Sequence, residues 1–247
     1  MRVELQRARI GRHAKARCWW ACAGLGRPSC WIEFGGDAEA QGIHTIRIEA
    51  PEGRSLPAIL APQLRQALLR LSNVAAARDY AVRGLRALAG FTGKMKIKYQ
   101  DLEVGLDYEP EPGLADNGDL EHDLQALFEQ VGRAAKAAGT AVAIFIDELQ
   151  YVAEDQLAVL ITAMHRVEQQ QLPVVLVGAG LPQLRGRMGN AKSYAERLFN
   201  FPEIGPLPAP EAERAIRVPL QKEGVDIDEA ALKQLVEVTR GYAYFLQ

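Results

Sequence analysis

Two adjacent carboxylates, Asp147 and Glu148, directly follow AVAIFI (141–146), a continuous apolar run of strand length. Continuous rather than alternating apolarity is what a parallel strand covered on both faces requires. Such a strand delivers the residues after it to its carboxyl end, and in open parallel sheets ligands bind outside that end. An aspartate there can hold magnesium, usually through water, and the neighbouring glutamate can orient or deprotonate a water for attack on a phosphoryl group. The alternative is an acidic strand end that opens the next helix.

The other residues that could do chemistry are dispersed. Cys18, Cys22, Cys30 and His13 offer one tight Cys-x3-Cys pair and no compact second pair, so a zinc knuckle is poorly supported. His44, His122 and His165 fall in separate segments and suggest no catalytic pair.

The pattern that must position the carboxylates is regular from Gly42 onward. IHTIRI (43–48) reads as a strand, and Ser55-Leu56-Pro57 as a helix cap, with Pro62 breaking or restarting that helix. A second helical run covers 74–89. Residues 94–108 alternate like a hairpin, and 101–119 hold seven acidic and no basic residues, read as an exposed insertion with an acidic loop. Asn117 or Asp119 can cap a helix carrying Leu120, Leu124, Leu127, Phe128, Val131 and Ala135 at helical spacing. After AVAIFIDELQ comes a helix over 155–170, then PVVLV (173–177) as another buried strand ended by Gly178-Ala179-Gly180. Residues 199–204 suggest one more strand, at an edge because of Pro202. Helical runs over 211–223 and 228–239 follow without strands. Strands alternating with helices imply right-handed crossovers and an α/β fold: a parallel sheet with helices on both faces, followed by a small helical subdomain.

Residues 1–36 are different in kind. They hold all three cysteines and all three tryptophans, with six arginines and one lysine against two glutamates. Such composition is what a GC-rich gene yields when read out of frame, and the expectation is a poorly ordered segment foreign to the fold that follows. Translating the upstream nucleotides in the other frames tests this.

AVAIFIDELQ and the segments around it resemble the Walker B region of P-loop ATPases of the AAA+ and STAND type, particularly archaeal-type and origin-recognition-like AAA domains. The resemblance runs from about Gly42 onward: strand two at IHTIRIEAP, Walker B at AVAIFIDELQ, the sensor-one strand at LPVVLVGAGLPQL, then KSYAERLFNFPEIGPL leading into a helical lid. It implies a core over 37–207 with the insertion at about 92–118, and a partial lid over 208–247. It also implies ATP and Mg2+ as cofactors, Asp147 on magnesium through water, Glu148 as catalytic base, and hydrolysis coupled to conformational change in an oligomer or switch. Arg197 falls where an arginine finger acting on a neighbouring subunit belongs.

The chain departs from the pattern in three places. The phosphate loop should read GxxxxGK[ST], and the nearby ACAGLGRPS (21–29) puts Ala21 at the first glycine, Arg27 at the lysine and Pro28 at the hydroxyl residue. Proline also removes a backbone donor from the anion cradle. At sensor one Gly178-Ala179-Gly180 supply no polar side chain, leaving Gln183 as the nearest substitute. In the lid, Gly241 is not followed by the second-sensor arginine, and Arg240 could serve only by another geometry. The implied ATPase is therefore impaired at its phosphate anchor; the alternative is a non-catalytic interaction or scaffold module, or a fragment of a larger ATPase, with client protein or nucleic acid unspecified.

Composition sets the outer limits. The 247 residues carry a formal charge of -2 and are 48% hydrophobic and 24% charged, ordinary for a globular protein and against a global nucleic-acid-binding field. No apolar run reaches membrane-spanning length and no secretory signal is recognisable, so the chain reads as cytoplasmic and without a membrane partner.

Overall fold

The apolar runs do become strands of one parallel sheet. In the computed structural model, which describes residues 16–21, 35–95 and 108–246, the sheet contains β1 (Ala16–Ala21), β2 (His44–Glu49), β3 (Val142–Asp147), β4 (Val174–Gly180), β5 (Phe199–Asn200) and β6 (Glu203–Ile204). Their spatial order is β2-β3-β4-β1-β5, with β6 also on β1, and every described pairing is parallel. β3 and β4 are buried along nearly their whole length, as their unbroken apolarity requires. β2 lies at the edge and alternates, with Ile46 and Ile48 buried and Arg47 and Glu49 exposed.

Four helices cover one face of the sheet: α1 (Leu56–Ser72), α2 (Arg78–Lys94), α3 (Leu120–Ala137) and α4 (Glu154–Gln169). Their apolar stripes meet Ile46, Ile48, Val142, Ile144, Ile146, Val174 and Leu176 in the main core. The connections from β2 to β3 and from β3 to β4 step across the sheet in one direction, so right-handed crossovers put all their helices on that face. The step from β1 to the far edge at β2 runs the other way. Its described part, residues 35–40, is helical and lies on the opposite face, where Glu39 meets Thr45 and Arg47 (3.0 Å to the guanidinium). Beyond β4 come α5 (Gln183–Ala191) and the short α6 (Ala195–Leu198), and beyond β6 the helical part, α7 (Ala209–Lys222) and α8 (Glu229–Thr239). Gly241 (φ 73°) fastens this part to the core linker. Its carbonyl accepts from Leu207 N at 2.8 Å, and a Cβ there would come within 2.1 Å of the Leu207 oxygen.

Several expectations need correction. Pro62 neither breaks nor restarts its helix: α1 is continuous through it. The lost bond to the Ala58 carbonyl is outweighed by burial of Leu56, Ile59, Leu60, Leu64, Leu68 and Leu71 along the same helix, tertiary packing being the main source of helix stability. The N-terminus of α1 is capped not by the Ser55 side chain but by Gln156 of α4, whose Oε1 accepts from Leu56 N at 2.7 Å. The acidic loop is not simply solvated. In its described part, 108–119, Ala115 is fully buried, Glu111 pairs with Arg83 at 2.9 Å, and the buried Asp123 carboxylate accepts from Asn117 N and Gly118 N at 3.1 and 2.9 Å. The alternating hairpin falls mostly on 96–107, outside the described residues. Residues 199–204 form two short strands rather than one, separated by Phe201 and by Pro202, which has no N–H to give to a ladder. Finally, six residues of the odd N-terminal segment belong to the fold. Ala16–Ala21 is the inner strand between β4 and β5, pairing Arg17 with Val177 and Trp20 with Gly180. Without it the ladder groups on that side of β4 would lack partners. Residues 1–15 and 22–34 lie outside the described residues.

The edge strand gives a pH prediction. His44 opens β2 half-buried, and burial first, then the Arg70 charge, push its imidazole below the usual histidine value. The unfolded chain thus takes up the proton before the folded one. This contribution to stability is complete above the unfolded value of about 6.5 and is lost as pH falls from there through the folded value. Urea unfolding on either side of about pH 6.5 should show wild-type stability dropping more on acidification than that of His44→Gln; equal drops would refute it.

Candidate functional site

The strand order reverses at β1. The chain leaves β1 toward β2 over one face and leaves β4 toward β5 over the other, the arrangement that in open parallel sheets sets the ligand crevice outside the carboxyl ends of the flanking strands, here β1 and β4. β3 is the next strand along, and it ends at this edge in Asp147. The two carboxylates read from the sequence are therefore at the mouth of the topological switch point, both half-buried.

Local geometry sets the two side chains differently. Asp147 closes the strand, its carbonyl accepting from Ala50 N at 3.0 Å and its Oδ1 from Glu148 N at 2.8 Å. Glu148 turns the chain through the left-handed region, φ 55° and ψ 36°, which costs a non-glycine residue about 1–2 kcal/mol. Strain of this kind persists only where the surroundings hold it, and it gathers at functional sites. A 3-10 turn, Leu149–Tyr151, follows and leads into α4.

Gln150, quoted in the motif but given no role by sequence reasoning, is the residue that ties this turn to its neighbours. It is buried, its Nε2 donates to Glu148 Oε2, and its Oε1 accepts from Leu181 N, just past β4, at 3.2 Å. Arg187 of α5 binds the carbonyls of Gln150 and Val152, the latter at 2.9 Å. β4 runs through Gly178-Ala179-Gly180 instead of ending before them, another departure from expectation. The reason is tertiary: a Cβ at Gly180 would lie 2.7 Å from Gln150 Oε1 and 2.8 Å from a Leu184 methyl, so only glycine lets the amide approach. The one sequence signal for this network was that glycine, which read equally well as a turn.

The remaining candidates are spread out. Gln183 opens α5 at the carboxyl edge, near the crevice and exposed. Arg197 is exposed on α6, just before β5, whose Phe199 pairs with Ala16 at the start of β1. β3 and β5 are three strand spacings apart, about 14 Å. Arg197 is thus displaced sideways and toward the amino ends of the strands, away from Glu148 of its own chain. It lines an open cavity of about 430 Å3 with His165, Glu168, Gln169, Tyr194 and Leu198. Arg240 is exposed at the left-handed end of α8. The glycine-rich run starts at Ala21, the last residue of β1, so it departs from the crevice edge; its residues 22–29 lie outside the described ones, as do His13, Cys22 and Cys30. His44, His122 and His165 stay apart on β2, α3 and α4.

Whether the site suits magnesium follows from its donors. Among the described residues no three His, Cys, Asp or Glu side chains group closely enough to hold a metal unaided. A magnesium ion that keeps several waters and comes with substrate phosphates needs only one or two carboxylates, and Asp147 and Glu148 fit that requirement. Among the described residues, no helix is long and apolar enough to cross a membrane.

No family model and no curated protein matches the sequence. Solved structures do match the fold. The replication initiator DnaA bound to AMPPCP and single-stranded DNA is similar over 98% of this chain, with a TM-score of 0.52 at 11% identity. AMPPCP-bound DnaA from Aquifex aeolicus gives the same values, and a DNA replication initiation factor gives a TM-score of 0.51 over the same share. The chain spans 56–57% of the length of these structures. The likeness shows the fold: a parallel sheet with helices on both faces and a helical part after it, as in those replication-initiation proteins.

Proposed function

We propose that this chain is a nucleotide-binding domain of the AAA+ kind that takes Mg-ATP at the crevice between β1 and β4 and retains the carboxylate half of a hydrolytic site. The observation that carries the reading is the placement of Asp147 and Glu148 together at the carboxyl end of an interior strand, beside the point where the strand order reverses. The AMPPCP carried by the DnaA structures of like fold supports a nucleotide as the ligand class.

Magnesium, when bound with the triphosphate, would neutralise charge on the phosphate oxygens. Asp147 would hold that ion through water. Glu148 would accept the proton of a water whose oxygen attacks the γ-phosphorus; the bond to the β–γ bridging oxygen breaks, and ADP leaves with that electron pair. Gln183, at the start of α5, would face the γ-phosphate side of the crevice. Arg197 cannot serve its own chain from its place beside β5, so its role would be to stabilise the transition state in a neighbouring copy, making hydrolysis depend on assembly. Arg27 and Pro28 in place of the usual lysine and hydroxyl weaken the phosphate anchor, so binding is weaker than an intact cradle would give. The same departure favours the second reading, an interaction module that keeps the strand for packing.

Isothermal titration of the chain with Mg-ATP separates the two. The first reading expects saturable binding that needs magnesium and falls about 10-fold or more in Asp147→Ala, the loss of one charged interaction. Binding that Asp147→Ala leaves intact, or no heat at all, leaves the interaction module standing.

A further inference from the structure

Gln150 is a buried amide, 7% exposed, at a position where an apolar side chain would fill the same volume without desolvating a polar group. Both ends of the amide are used. Its N–H bonds the Glu148 carboxylate on β3's side, and its oxygen takes the first backbone N–H after β4, at Leu181. These two partners fix which end of the carboxamide is which. The contact exists only because residue 180 carries no side chain. The loop is anchored a second time by Arg187, whose guanidinium reaches from α5 to the carbonyls of Gln150 and Val152. One amide thus bonds both Glu148 and Leu181.

We propose that Gln150 is a positioning residue that links Glu148 to the β4–α5 turn, so that the orientation of the carboxylate and the conformation of the turn change together. A ligand that shifts the turn at the crevice edge thereby redirects Glu148, and Glu148 in turn holds the turn closed. The link stands on the hydrogen bonds; its catalytic consequence rests on the hydrolytic reading above, and the test separates the two.

Amide hydrogen exchange at Leu181, followed by NMR on the full chain without nucleotide, reads the link directly. Gln150→Met, which keeps the volume and removes both bonds, should speed exchange at Leu181 about tenfold, the worth of one such bond, while Val177 inside β4 stays protected and reports an intact sheet. Glu148→Ala leaves the Leu181 acceptor in place, yet it should also speed exchange there, and the double variant should exceed neither Gln150→Met alone nor simple additivity. Unchanged Leu181 exchange in Glu148→Ala, or strictly additive effects, overturns the link, and this arm decides even if Gln150→Met does not fold. In single-turnover hydrolysis Gln150→Met should be slower by about tenfold with Mg-ATP affinity nearly unchanged. Normal turnover in that variant overturns the catalytic consequence. No turnover in the wild-type chain instead sinks the hydrolytic reading and leaves the link to be judged on exchange alone.

Discussion

Glu148→Gln should keep Mg-ATP affinity within about twofold and lower the hydrolysis rate by about 10²–10⁴-fold, the range that one positioned general base contributes. The replacement has the same length and still offers an oxygen to Gln150, so the turn after β3 and the left-handed backbone at this position are undisturbed. What it loses is the capacity to take a proton. Phosphate release and titration calorimetry on the same preparation check both halves, and turnover within twofold of wild type would remove Glu148 from the base role. Binding that disappears along with turnover would mean that the side chain serves the ligand's ground state, since a group acting only in the transition state leaves affinity alone.

Gly180→Ala should destabilise the fold by about 1–3 kcal/mol, the usual result of forcing an extra carbon into a packed site. For a chain of this size each kcal/mol moves the melting temperature by about 2–4 °C. The added Cβ meets Gln150 Oε1 and Leu184 within 2.8 Å, and neither neighbour gives way cheaply: the amide is held at both ends, and Leu184 belongs to the main core. Turnover should fall with stability, because moving Gln150 releases Glu148. Gly186→Ala on α5 is the matched control. A Cβ there meets nothing within 4 Å, and the gain in helix preference should raise stability by about 0.4–1 kcal/mol. Thermal melts of the two variants should therefore move in opposite directions, and a Gly180→Ala protein as stable as wild type would show that the loop after β3 does not close on β4 as described.

Some of these elements can be read from a single segment, and some only from their neighbours in space. AVAIFI and PVVLV were legible because burial on both faces leaves an unbroken apolar trace, and the helices over 120–137 and 154–169 because burial on one side leaves a 3.6-residue rhythm. Pro62 misled because a local rule about a missing N–H carries no information about six buried side chains on the same helix. The reading of residues 16–21 as foreign to the fold misled differently. Composition marks the segment as foreign, but a strand in the middle of a sheet is specified by the ladder groups on both sides of it, and Ala16–Ala21 supplies them irrespective of its side chains. Gln150 escaped notice since its significance is a relation to Leu181, 31 positions away, which no spacing along the chain encodes.

Residue types and spacing were enough to read two carboxylates at the end of a buried strand and an α/β fold with a parallel sheet. That Arg27 and Pro28 stand where a phosphate loop would carry lysine and a hydroxyl was legible too, because this is a matter of residue type. Which strand lies beside which came only from the packed fold, and with it the place of Asp147 and Glu148 next to the switch point and of Arg197 three strands to the side. That fold alone brought Gln150 against Gly180. Side-chain periodicity reports only whether a surface is covered; what covers it, and at what distance, depends on strand order and packing between segments remote along the chain.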